Sequence, residues 1–163
     1  MNIILIGFMG SGKSSVAEAL SRKLKRRHIE TDSSILEQSG RSSIKELFLL
    51  DGEMRFREME IEIAKEIGAK SDAIISTGGG IVINKICIDY LKRNGKVIFL
   101  STSFAEIVRR LQGDDSRPLF ADKEAAQQLF TFRKRLYKQY ANVTVDTDDR
   151  SIDEIINIIL KKI

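Results

Sequence analysis

The sequence predicts an α/β fold in which a parallel sheet is covered by helices on both faces. Two observations carry that expectation. Short β-branched or apolar runs alternate along the chain with longer stretches of helical periodicity, the pattern of successive β-α-β units. The 42% hydrophobic and 31% charged residues, with a single Pro, are the composition of a folded chain and not of a disordered one. A length of 163 residues suits one domain, and the sequence has no repeat, low-complexity tract or Pro/Ser-rich linker, so residues 1–163 are expected to form one.

Strand candidates lie at residues 2–6, 28–31, 73–76, 96–100 and 142–146, each bounded by Gly, polar or charged residues. Helical periodicity runs through residues 13–25, 42–67, 84–93, 104–111 and 123–140, and residues 151–162 close the chain. Residues 112–122, QGDDSRPLFAD, interrupt the pattern: they are polar, hold the only Pro and read as a mobile loop.

Composition narrows the class of function. The net charge of +4 is modest, and Lys and Arg are scattered, which favours a small anionic ligand over nucleic acid. Cys87 is the only cysteine, so an intramolecular disulfide and a thiolate metal cluster are excluded and a reducing cytoplasm is the expected setting. The first residues, MNIILIGFMG, lack the basic start and cleavage site of a signal peptide, and no apolar run approaches the roughly 20 residues of a membrane span. Neither export nor a membrane partner is expected.

The first chemical signal is Gly7-Phe8-Met9-Gly10-Ser11-Gly12-Lys13-Ser14, which satisfies G-x-x-x-x-G-K-[ST] between an apolar strand and a helical stretch. Glycines let the backbone turn its N–H groups toward phosphate oxygens, and the helix that follows adds a positive end. Lys13 then reaches the β- and γ-phosphates, and the Ser14 hydroxyl occupies the Mg²⁺ position. Ser15 continues the helix.

Three further clusters bear on the acceptor. Glu30-Thr31-Asp32 ends the second strand on the carboxyl edge, where such sheets bind ligands; Asp32 either accepts the proton of an acceptor hydroxyl or caps a short helix over residues 33–38. In the segment 52–60, Arg57 and Glu60 stand one helical turn apart, as an oriented fork for a carboxylate or as a plain surface ion pair. Gly78, Gly79 and Gly80 follow the third strand, as a bare backbone that lets a ligand approach or as a flexible turn.

The P-loop, Asp32, the 52–60 segment, the glycine triplet, Arg117-Pro118-Leu119 and Arg133-x-x-Leu136-Tyr137 together resemble the shikimate kinase family, in order and spacing, over nearly the whole chain. The resemblance implies a three-layer P-loop kinase fold of the nucleoside monophosphate kinase type, with a five-stranded parallel sheet in the order 2-3-1-4-5 and a lid over about 112–122. It implies ATP-dependent phosphorylation of the 3-hydroxyl of shikimate, on the route to chorismate and the aromatic amino acids, with ATP and Mg²⁺ as cofactors. By motif position Asp32 contacts the reacting hydroxyl, Arg57 and Arg133 clamp the carboxylate, and Gly78, Gly79 and Gly80 line the acceptor pocket. Gly10, Ser11, Gly12, Lys13, Ser14, Ser15, Arg110, Arg117 and Arg150 fall to ATP, with Arg110 packing on adenine. Arg117 is the lid arginine, brought in on closure to stabilise charge on the transferring phosphoryl group.

The chain departs from the family's pattern twice: Glu30 stands where Asp is common, and the adenine loop over residues 146–151 lacks a Pro found in some members. The basic run 22–27 reads as a solvated helix end, His28 is given no catalytic role, and Cys87, Phe48, Phe56 and Met59 read as packing residues, with Phe56 also beside the clamp. Two alternatives stay in view. One is a gluconate kinase, whose usual His-Pro after the second strand is absent here; the other is a catalytically silent P-loop protein. No added interface segment is evident, and a monomer is expected.

Overall fold

The computed structural model describes residues 1–112 and 122–163, so Arg117 and all but the end residues of the expected loop 112–122 lie outside the described residues. Five strands form one sheet: β1 (Asn2–Ile6), β2 (Arg27–Glu30), β3 (Ala73–Ser76), β4 (Gly95–Ser101) and β5 (Val143–Asp146). Their order is β2-β3-β1-β4-β5 and every pairing is parallel, as expected. The helices are α1 (Lys13–Leu24), α2 (Thr31–Ser39), α3 (Ile44–Gly68), α4 (Lys85–Lys92), α5 (Phe104–Arg110), α6 (Lys123–Tyr140) and α7 (Ile152–Lys162).

The apolar runs of the central strands make the sheet two-sided. Side chains alternate across a strand, so Ile4, Ile6, Ile75, Val97 and Phe99 face one apolar layer with α3, α4 and α6 residues such as Ile63, Leu91 and Tyr137. Ile3, Leu5, Ile74, Ile98 and Leu100 face the other, against Val16 and Leu20 of α1 and Ile156 and Ile159 of α7. Each of these fully buried Ile and Leu side chains contributes about 1.5–3 kcal/mol. Among the described residues no helix is long and apolar enough to cross a membrane.

Most element ends shift by one or two residues from the sequence expectation, and two further differences matter to the site. The stretch 42–67 reads as one helix but is bent at Gly52, whose φ of 84° and ψ of 163° only glycine adopts at ease. The bend gives the second half of α3, which carries Arg57 and Glu60, a direction of its own. The short helix expected over 33–38 already starts at Thr31, with Glu30 as the N-cap and no side-chain cap hydrogen bond. Asp32 is therefore a first-turn residue, and the capping alternative for it fails.

Candidate active site

The carboxyl ends of β1, β2 and β3 lie side by side, and the segments leaving them build a cleft of about 460 Å³. From β1 comes the phosphate loop. Gly12 is the N-cap of α1 at φ 86°, a left-handed conformation that opens the helix end without a Cβ penalty. Lys13 is buried, and its Nζ donates to the carbonyls of Gly7 and Phe8 at 3.0 and 2.9 Å, which curls the amine back over the loop. Gly10, Gly12, Lys13, Ser14 and Ser15 line this cleft; Ser11 faces a second one.

From β2 comes Asp32, and the cleft also reaches Glu30. The Oδ1 atom of Asp32 is buried without a hydrogen-bond partner. Burial pushes the Asp32 carboxyl above its ordinary value, and the charge of Lys13 opposes that only in part. An orphaned acceptor in a cleft is set to receive a donor from a ligand. Oε1 of Glu30 is likewise buried without a hydrogen bond, 3.3 Å from Nε2 of His28 two residues back on the same strand face.

From β3 comes the glycine triplet. Gly78 is tied down by its N–H, which donates to Oγ1 of Thr31 at 2.8 Å, and Gly79 by its carbonyl, which accepts from the buried Tyr137 hydroxyl at 2.5 Å. None of the three has positive φ. A Cβ on Gly78 would collide with Oδ1 of Asp32, and one on Gly80 would lie 2.7 Å from Nη1 of Arg57. The turn is bare so that the protein's own Asp32 and Arg57 can pack against it, a reason the sequence does not reveal, and the flexible-turn alternative falls away.

Arg57 donates to Glu60 at 2.5 Å and to Glu53 at 3.1 Å. Glu60 is 2% exposed, so this is no surface ion pair. Burial raises the Glu60 carboxyl and Arg57 opposes the rise. The Arg57 guanidinium stands 5.1 Å from the Phe56 ring centroid, and Phe56 is itself buried, so Phe56 both packs and flanks the clamp. Arg133, from α6, lines the cleft with its Nε buried and unpartnered; burial, together with the charge of Arg57, lowers its pKa. The Asp32 carboxyl, raised by burial, and Arg133 thus face one space next to the phosphate loop. Arg57 and Gly80 flank that space without lining the cleft.

A second cleft, of about 410 Å³, opens on the other side of Arg110 and is lined by Ser11, Ser15, Arg110, Arg150 and Ser151, among others. The buried Cys87 thiol is pushed up to about 12 by burial, in keeping with a packing residue. In the basic run, Arg22 pairs with Glu18, Lys23 bonds Asn157 and Arg26 bonds the Met1 carbonyl, as at a solvated helix end.

Comparison with known proteins places this geometry. The shikimate kinase family model matches residues 9–163. The chain belongs to that family. The shikimate kinase of Enterococcus faecalis is 40% identical across 99% of this chain and 98% of its own length, and that of Sulfurihydrogenibium sp. is 38% identical across 99% and 97%. The structure of the Acinetobacter baumannii shikimate kinase in complex with shikimate superposes with a TM-score of 0.90 at 29% identity, covering 98% of this chain and 90% of that one. Lys13, Ser14, Asp32, Gly78, Gly79 and Arg133 meet in one cleft of this family member, and Arg110 is shared with the second cleft, where Ser11 and Arg150 lie. Tyr137 is a site support that sequence reasoning passed over: it sits inside a quoted motif without a role, yet its hydroxyl holds the Gly79 carbonyl.

Proposed function

We propose that the chain transfers the γ-phosphoryl group of ATP to the 3-hydroxyl of shikimate, releasing ADP and shikimate 3-phosphate. The observation that carries this is the unpartnered, buried Oδ1 of Asp32, which feels the charges of Lys13 and Arg57 and lines one cleft with Lys13 and Arg133. Membership of the family supports the acceptor's identity.

The phosphate loop holds the nucleotide by its backbone N–H groups, and Lys13 exchanges its two loop carbonyls for phosphate oxygens. Arg57 and Arg133 take the shikimate carboxylate; their donors are worth more there than in water because both groups are largely desolvated. This orients the ring so that the 3-hydroxyl meets Asp32. Asp32, made more basic by burial, takes the hydroxyl proton as the oxygen forms its bond to the γ-phosphorus, and the bond to the β-phosphate oxygen breaks with its electrons leaving on ADP. Lys13 offsets the charge that accumulates on the phosphoryl oxygens.

A divalent cation fits this cleft. The Ser14 hydroxyl and the Glu30 and Asp32 carboxyls line it, and each carboxyl has a buried oxygen without a hydrogen bond. Among the described residues no cluster of three His, Cys, Asp or Glu could hold a metal unaided, so Ser14 and these two carboxyls would hold the ion only together with the nucleotide. When bound, Mg²⁺ would supply positive charge that offsets the charge of the phosphates. We take the enzyme to act as a monomeric 1–163 unit in the cytoplasm.

ADP release coupled to a reporter, with ATP, Mg²⁺ and either shikimate, gluconate, AMP or no acceptor, tests the assignment. Turnover that depends on shikimate alone is expected. Turnover with another acceptor overturns the substrate, and none at all, with ATP still bound, overturns the activity.

A further inference from the structure

Arg110 forms the wall between the two clefts, and its guanidinium is held from two directions. Its Nε donates to Oε1 of Glu106 at 2.7 Å and its Nη2 to the Thr147 carbonyl at 2.8 Å. The remaining nitrogen, Nη1, faces the phosphate loop, 3.8 Å from where a Cβ on Gly12 would sit. Glu106 is 8% exposed and also accepts two bonds from Arg109, each at 2.7 Å. The Arg109 and Arg110 guanidiniums hold its carboxyl at about 2, so it is a fixed anion at every working pH.

The Thr147 end is equally firm. Its hydroxyl shares a buried hydrogen bond of 2.6 Å with Thr102, and the neighbouring Asp148 accepts from the Ser103 N–H at 2.9 Å. Arg110 is thereby tied both to its own helix, α5, and to the loop after β5. A long side chain loses rotamer freedom when it orders on a ligand, and ordering it beforehand removes that cost from binding.

We propose that Glu106 is a positioning residue for the nucleotide: with the Thr147 carbonyl it locks the plane of Arg110 between the phosphate cleft and the second cleft, ready to pack on the nucleoside. The inference rests on Arg110 being a nucleotide contact. Nothing in the motifs marks Glu106, which acts only through its neighbour four residues on.

The dissociation constant of ADP, measured by calorimetry without acceptor, tests this in four proteins: the unaltered chain, Glu106→Gln, Arg110→Ala and the double variant. Glu106→Gln is expected to weaken ADP about three- to tenfold, the scale of freeing one long side chain. The double variant should bind no more weakly than Arg110→Ala alone, and in turnover the ATP KM should rise with the ADP constant while the shikimate KM does not follow. Unchanged affinity in Glu106→Gln, or losses that multiply in the double variant, overturns the proposal. Unchanged affinity in Arg110→Ala instead removes the reading of Arg110 beneath it. If Glu106→Gln does not fold, Glu106→Asp keeps the charge but withdraws it by one methylene, and the same comparison applies.

Discussion

The phosphate half and the acceptor half of the cleft are built in opposite ways. The phosphate half is one contiguous run, residues 7–14, which offers backbone N–H groups and a helix end, and whose Lys13 donates to loop carbonyls. The acceptor half draws Asp32 from α2, Arg57 and Glu60 from α3, glycines from the turn after β3 and Arg133 from α6. There the groups are charged, partly or fully buried, and left with unpartnered atoms at Asp32 and Arg133. Contiguous backbone makes a site at little cost, whereas gathered side-chain charges are dearly desolvated and become useful only when a ligand completes them.

The difference is broken most directly at Asp32. Asp32→Asn is expected to lower kcat by about 10²–10⁴, the usual worth of a general base, while ADP affinity holds. Near-normal turnover with shikimate would leave positioning and Mg²⁺ to carry the chemistry. Next comes Arg133→Ala, which should raise the shikimate KM about 10- to 100-fold for a lost charge-assisted bond. An equal rise in the ADP constant would mean that the halves are not separable.

Gly80→Ala sharpens the comparison further. The new methyl would press on Arg57, and overpacking on the scale of about 1–3 kcal/mol should raise the shikimate KM by roughly tenfold without touching ADP. A smaller effect concerns stability. The folded pKa of Asp32 is raised, so its contribution to stability is fully present below the unfolded value of 3.8 and is lost as pH rises through the folded pKa. Asp32→Asn should therefore melt higher than the parent at neutral pH, by about 2–4 °C for each kcal/mol recovered, with the gap closing toward acid. An equal Tm at pH 7.5 in thermal melts would show that the carboxylate costs the fold nothing.

The same contrast explains how much was legible beforehand. The strand and helix sequence and the phosphate loop follow from local patterns, apolar runs alternating with helical periodicity and a motif whose chemistry lies within eight consecutive residues, whereas the sheet order was implied only by the resemblance to the family. Asp32 was legible because a strand end in a parallel sheet places it at the ligand edge. Arg57 and Glu60 were legible as a spacing, but not as a buried pair, because spacing does not tell which face of α3 meets the core. The bend at Gly52 went unread since helical periodicity continues through it.

Contacts across the chain were beyond reach. Tyr137 holds Gly79 across 58 residues and Arg110 holds Thr147 across 37, and neither partner carries a motif that names the other. The sequence alone determined the backbone-built features, because a few dihedral angles and short apolar runs between helical stretches specify them locally. The burial of Glu60 and the partial burial of Asp32 and Arg133, and with it their proton affinities and their readiness for ligand, arose only when α2, α3 and α6 closed over the sheet, since desolvation belongs to the packed assembly and not to any one stretch of chain.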